Sequence, residues 1–251
     1  MNKKNDFSQK MHSYLRHPAS LIMMILVKLA ALITFTVLIF LIVYILVHGV
    51  PYLKPSLFSL HYNSENASLM PALINTVIMT LLSLLLAVPI GIFSAIFLAE
   101  YAGKGNKFVD IIRLTTETLS GIPSIVYGLF GMLFFVSTCH WGFSLLAGAF
   151  TLAIMILPLI MRTTEEALLS VPDSYREGSF GLGAGKLRTV FYIVLPSAVP
   201  GILAGVILAI GRIVGETAAL IYTAGSVAQV PSSVLGSGRT LAVHMYLLAS
   251  E

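Results

Sequence analysis

The chain has 251 residues, of which 57% are hydrophobic and 10% charged, with a formal net charge of +4; an average soluble domain carries about 25% charged residues. That composition excludes an ordinary water-soluble enzyme, and the lone cysteine, Cys139, excludes an internal disulfide framework. Six histidines (His12, His17, His48, His61, His140, His244) are scattered without the spacing of metal ligands.

Residues 1–20 form a polar, basic tail with Lys3, Lys4, Lys10 and Arg16. The apolar run 21–47 that follows is about twice as long as the apolar core of a signal peptide and has no A-x-A cleavage pattern behind it. It is therefore expected to stay as a first membrane helix, since crossing a hydrocarbon core of about 30 Å takes roughly 20 helical residues. Lys28 lies near one end, where its stem can carry the charge toward the headgroups. Residues 48–70 contain GVP, KP and NSEN turn chemistry and are expected to form a loop.

Further apolar runs are expected to cross at 72–99, 121–138, 143–161 and 198–223. Pro89 and Gly91 should bend the second run. His140 and Trp141 suggest an interfacial turn with an aromatic anchor. The segment 101–113 is short and charged, 162–195 is the longest stretch that is not simply apolar, and 224–238 is rich in Gly, Ser and Pro. Five crossings result, and the amphipathic segment RTLAVHMYLLA near Glu251 is too short to be a sixth.

Orientation follows from lysine and arginine. The tail, the loop after the second run (Lys104, Lys107, Arg113) and the loop after the fourth (Arg162, Arg176, Lys186, Arg188) are basic, whereas the alternate loops carry only Lys54 and Arg239. The positive-inside rule then places the N-terminus and residues 162–195 in the cytoplasm and 48–70 outside.

Within the cytoplasmic stretch, EGSFGLGAGKLRTVFYIVLP (177–196) invites a nucleotide-binding reading and fails it. A P-loop would need glycine where Phe180 stands and a hydroxyl where Leu187 stands, and a dinucleotide fingerprint would need glycine or alanine in place of Lys186 after a strand. The local signals instead give two short helices about a glycine hinge: Asp173 or Ser174 can cap the first, Gly183 can end it, and Lys186 to Val194 can start the second. A solvated connector is the plainer alternative; a knob that docks in a groove of another protein is the functional one.

The pattern Glu177, Gly178, Ser179, three residues, Gly183, nine residues, Ile193, Val194, Leu195, Pro196 resembles the EAA loop of ABC-importer membrane subunits, E-A-A-x3-G-x9-I-x-L-P, with two small residues replacing the alanines. Four other stretches look like phosphate-specific transport permeases: LINTVIMT (73–80), VPIGIFSAIFLAEYA (88–102), LSGIPSIVYGLFG (119–131) and GRIVGETAALIYTAG (211–225). The last of these, with SGRTLAVHMYLLASE, looks more like the PstA-type than the PstC-type subunit.

The resemblance implies an all-α type I ABC-importer (MetI-like) transmembrane domain over 71–251 in a prokaryotic inner membrane. It implies that Glu177, Gly178, Ser179, Gly183, Ile193, Leu195 and Pro196 couple the chain to a separate ATPase, so that this chain carries no cofactor and Mg-ATP belongs to the partner. The implied partners are a PstC-type permease, a dimeric PstB-type ATPase, an extracytoplasmic PstS-type phosphate-binding protein and the lipid bilayer, with no nucleic acid. Such permeases are expected to cross six times, so the C-terminus reads as incomplete.

Arg212 lies about 20 Å into the fifth run, too deep to snorkel, where a central arginine costs about 2.5–3.5 kcal/mol and needs a partner or a wet path. Glu216, four residues on, is expected on the same helical face. The pair is either a self-neutralised packing device or a cation offered to a passing oxyanion, with the carboxylate limiting retention. Glu100, Arg113 and Glu117 read as helix-end boundary residues, and Glu165 and Glu166 have no catalytic companion. Two other functions stay open: a permease for molybdate or sulfate, and an ATP-independent channel or secondary transporter, although no inverted repeat is visible.

Overall fold

The computed structural model describes residues 18–63, 66–102 and 105–250. Lys3, Lys4, Lys10, Arg16, Lys104, His12 and His17, on which parts of the sequence argument rest, lie outside the described residues, as does most of the 1–20 tail. The chain divides into two units, 1–55 and 56–251.

In the first unit, α1 (Pro18–Gly49) is one uninterrupted helix. It is apolar on every side, as a membrane-solvated helix is. The His48 ring bonds the Tyr44 carbonyl at 3.0 Å near its end, and a short 3-10 turn, Val50–Tyr52, follows.

The second unit contains nine helices among the described residues: α2 (Met70–Ile96), α3 (Lys107–Ser120), α4 (Ser124–Gly131), α5 (Leu145–Leu169), α6 (Asp173–Gly181), α7 (Lys186–Thr189), α8 (Leu195–Val214), α9 (Ala218–Ile221) and α10 (Leu241–Ser250). Widened π-type turns carry α2 on to Tyr101, α4 on to Thr138, and α7 into α8. Four helical stretches of the whole chain are long and apolar enough to cross a membrane, and a fifth arises if the bent pair 107–120 and 124–138 counts as one span.

That bend is 99°, and it departs from the expected simple crossing. The segment expected to be a short charged link is instead the amphipathic α3, begun by Asn106, whose Oδ1 accepts the Phe108 N–H at 3.0 Å. It ends at Gly121, and Pro123 prevents its continuation because proline disfavours helix in the residue before it. The other expected boundaries shift too. α5 runs eight residues past Met161 because its polar end is paired: Arg113 Nη2 lies 2.7 Å from Glu165 Oε1, and Arg162 Nε lies 3.0 Å from Glu166 Oε1. α2 passes through Pro89 without interruption.

α5 is the central helix, packed by α2, α3, α4 and α8. One core cluster joins Met79, Tyr127, Leu152, Ile156, Ile213 and Leu220; a second, nearer α6, joins Ile96, Leu168, Val190, Val194 and Ile202. Hydroxyls inside the bundle bond back to their own helix, as with Ser83 to Met79 O and Thr151 to Ala147 O at 2.8 Å. Such bonds satisfy groups that lipid cannot.

Small residues set the helix spacing. A Cβ at Gly91 would stand 2.7 Å from Ile160 Cγ2, and one at Gly128 would stand 2.8 Å from the Cα of Ala219. Since the Gly128 clash is with backbone, no rotamer relieves it. Gly128→Ala is therefore expected to cost about 1–3 kcal/mol, measured as a lowered unfolding temperature in detergent, whereas Gly178→Ala, with nothing within 4 Å, should leave it near the parent value.

Candidate functional site

Helices α6 and α7 together form a two-helix handle between α5 and α8. α6 starts behind Pro172, which stands at the N-cap, so the expected capping by Asp173 or Ser174 is corrected: neither side chain caps, and Asp173 Oδ1 instead takes Arg176 Nη1 at 3.3 Å. α6 ends through Gly183, whose φ of +83° suits glycine, and the Ala184 N–H reaches back to Ser179 O at 3.1 Å. α7 then begins at Lys186. The two helices are pinned together by Ser179, whose hydroxyl shares a 2.8 Å hydrogen bond with that of Thr189, both buried.

Of the coupling residues expected from sequence, Glu177, Gly178, Gly183 and Pro196 are exposed, Ser179 is buried, and Ile193 and Leu195 are half-buried. Pro196 enters α8 just after the widened turn Val190–Val194. There the Leu195 N–H reaches Val190 O, five residues back, which spaces the chain around a residue that cannot donate. Ser197 Oγ donates to the Ile193 carbonyl one turn back at 2.6 Å. The outer surface of the handle is apolar: Leu182 is 92% exposed, with Tyr175, Phe180 and Leu187 also exposed.

Two residues that sequence reasoning left as a boundary charge and a loop cation hold the handle to the bundle. Arg176 places Nη2 2.6 Å from Glu100 Oε1, donates Nη1 to Val171 O at 2.7 Å and Nη2 to Leu168 O at 2.9 Å. Both side chains are largely buried, at 14% and 8% exposure. Beside them Lys186 Nζ sits 5.0 Å from the Tyr101 ring centroid. α6 and α7 are thus tied to the end of α2 and to the end of α5. The only signal in the sequence was Glu100 inside an otherwise apolar run; its partner 76 positions away was not legible.

The second site is at the other end of α8. Arg212 is half-buried and lines an open groove of about 600 Å³ with Leu159, Ala204, Ile207, Leu208 and Gly211. The expected pairing with Glu216 on one helical face is not present. α8 stops at Val214, with Gly215 as its C-cap, and among the described residues no ion pair joins Arg212 to Glu216. Glu216, 8% exposed, is engaged elsewhere: its Oε1 accepts the Ala219 N–H at 3.1 Å at the start of α9. The expected fifth run is therefore two helices with a break, and the residues flanking it, Ile213 and Leu220, belong to the same core cluster as Tyr127 and Leu152. A carboxylate at a helix start is favourable because it meets unpaired N–H groups. Among the described residues the Arg212 guanidinium therefore has no carboxylate partner, and none lines its groove.

In the second unit a bundle of apolar helices carries the exposed two-helix segment α6–α7 at one end. The profile of the family described as binding-protein-dependent transport system inner membrane component matches residues 87–249, and the chain belongs to that family. It is similar to the probable ABC transporter permease protein YqgI of Bacillus subtilis, 36% identical over 87% of this chain and 79% of that protein. It is also similar to the phosphate transport system permease protein PstA of Haemophilus influenzae, 39% identical over 70% of this chain and 62% of that protein, and to PstA 2 of Mycobacterium bovis, 40% identical over 64% and 53%. The chain thus spans between about half and four fifths of these relatives. A chain of the inward-facing methionine ABC transporter MetNI shares the fold, with a TM-score of 0.53 at 20% identity over 72% of this chain and 85% of that one.

Proposed function

We propose that this chain is a permease subunit of an ATP-driven importer that carries inorganic phosphate into the cytoplasm, lying in a prokaryotic inner membrane with its N-terminus and α6–α7 inside. ATP is hydrolysed by a separate dimeric ATPase of PstB type, a PstC-type permease forms the other half of the pathway, and a PstS-type binding protein delivers phosphate from outside. The observation that carries this reading is the handle: an apolar, exposed two-helix projection locked to the bundle by a buried ion pair. An apolar surface rimmed by polar residues suits a groove in a partner. The basic loops on the handle's side support the orientation, and the PstA-named relatives support phosphate as substrate.

Mechanically, α7 and α8 form one 29-residue helical stretch, Lys186–Val214. The 26 residues from Lys186 to Arg212 correspond to about 39 Å of helix. A closing ATPase pair that moves the handle therefore moves Arg212, while the Arg176–Glu100 tie carries the same motion into α2. Arg212 offers a planar fork that suits two oxygens of a tetrahedral anion.

Proteoliposomes holding the assembled complex should take up labelled orthophosphate only with ATP on the handle side; equal uptake without ATP would instead favour a channel or secondary transporter. Because an arginine fork serves any tetrahedral oxyanion, sulfate and molybdate are included as competitors, and full inhibition by either at equal concentration would move the substrate to that anion. The handle's apolar tip gives a separate expectation. Leu182→Asp should leave the chain folded and membrane-inserted but lower ATPase retention on affinity purification at least about tenfold, as expected for loss of a buried interface anchor worth 2 kcal/mol or more.

A further inference from the structure

At the end of the second unit opposite α6, residues 57–63, 66–69 and 223–240 close over the starts of α2 and α5. The Leu145 N–H bonds Gly236 O and the Leu146 N–H bonds Val234 O, at 3.0 and 2.9 Å. Asn75 Nδ2 donates to Gln229 O and Arg239 O at 2.9 and 3.2 Å, and the Leu241 N–H donates to Thr76 Oγ1 at 2.8 Å. The backbone around Arg239 is therefore fixed.

Its side chain is not satisfied in the same way. Arg239 is 6% exposed, and its Nε and Nη2 have no hydrogen-bond acceptor among the described residues. None of the ion pairs among those residues includes it. The guanidinium carbon stands 4.6 Å from the Tyr62 ring centroid. His244, fully buried, meets the same ring edge-on at 5.7 Å; neither ring nitrogen makes a well-formed hydrogen bond, although the Ala67 backbone lies close enough to interact with one of them, and Thr240 Oγ1 and Asn75 Oδ1 are unpartnered. Tyr62 also lines a cavity of about 720 Å³ together with His61, Asn63 and Gln229, and Arg239, Thr240 and His244 are not among its lining residues.

Burying a guanidinium costs several kcal/mol. A cation–π contact at a partly desolvated site returns less than that and does not offset it. The component that would balance this cluster is an anion with several acceptor oxygens, able to take the arginine fork, the Thr240 hydroxyl and one imidazole N–H together. We propose that Arg239, Thr240 and His244 form a second oxyanion site, reached from the 720 Å³ cavity past Tyr62 and separate from the Arg212 groove. The site rests on the oxyanion-permease reading and deepens it: phosphate is held near the mouth remote from the handle before it meets Arg212. Tyr62 is the wall between cavity and cation, so access requires its ring to move aside.

The test is equilibrium binding of labelled orthophosphate to the chain assembled with its partner subunits, without ATP, in phosphatidylcholine nanodiscs that offer no anionic headgroup. An Arg212→Gln background removes the deeper cation. Saturable binding should persist there and weaken at least about tenfold on adding Arg239→Gln, with Arg239→Lys intermediate because it keeps the charge and loses the fork. Unchanged affinity in either Arg239 variant would overturn the proposal, and the lysine variant decides alone if the glutamine variant does not assemble. Absence of orthophosphate binding in phosphatidylcholine would also overturn it, including the case in which phosphatidylglycerol discs show an anionic lipid in the site. Failure of the importer reading shows separately, as uptake that does not need ATP.

Discussion

Arg212→Gln is expected to lower ATP-driven phosphate uptake by about ten- to a hundredfold while leaving assembly intact. The size follows from the loss of charge-assisted hydrogen bonds worth about 1.5–3 kcal/mol. Arg212 is positioned for such contacts because it lines an open groove of about 600 Å³ and has no carboxylate in it. Glu216 sharpens the expectation. Its carboxylate caps α9 through the Ala219 N–H, a bond that an amide oxygen also accepts, so Glu216→Gln should change uptake little. Glu216→Ala removes the cap and should cost about 0.5–2 kcal/mol of stability. If Arg212 and Glu216 were a functional ion pair, the two glutamine variants would instead lose uptake alike. Uptake initial rates normalised to assembled complex check this, and near-normal rates in Arg212→Gln would remove the cation from the pathway.

Breaking the Arg176–Glu100 tie is expected to uncouple the handle. Either Arg176→Met or Glu100→Gln strands a mostly buried charge or its partner carbonyls, and removing one member of such a pair costs about 3–5 kcal/mol. Arg176 also holds the Val171 and Leu168 carbonyls, so its loss frees the ends of α5 and α6 together. The expected signature is faster amide exchange across 173–189 and ATP hydrolysis that no longer drives uptake. Replacing both members with methionine should recover part of the protection, because a well-packed apolar pair avoids the desolvation cost. Equal exchange in all variants would show that the tie does not hold the handle.

The comparison of sequence with structure divides along physical lines. Hydropathy made α1, α2, α5 and most of α8 legible, because each long apolar run has one solution in lipid, but it neither joined α7 to α8 nor saw the break after Val214. It missed α3, whose amphipathic pattern was read as a short charged link although Asn106 sits in front of it as a capping residue. Helical spacing alone put Glu216 on the face of Arg212; the helix ends between them because Gly215 closes α8 and the buried carboxylate finds better partners in the N–H groups of α9. The expected coupling segment drew notice as a string of small residues, yet the ion pair that anchors its two helices joins positions 76 residues apart. No local pattern encodes that distance. Arg239 was counted only as a loop charge, and its burial beneath Tyr62 depends on the tertiary closure of two loops.

The central claim is that the handle is gripped by a separate ATPase from the cytoplasm. A Leu182→Cys variant in a Cys139→Ser background tests it directly, because Cys139 is the chain's lone native thiol. In membranes containing the whole complex, a short bifunctional reagent should join Leu182→Cys to the ATPase subunit, and an impermeant thiol label applied from outside should not reach it. Labelling from the outer face, or a cross-link that never includes the ATPase, would contradict the account.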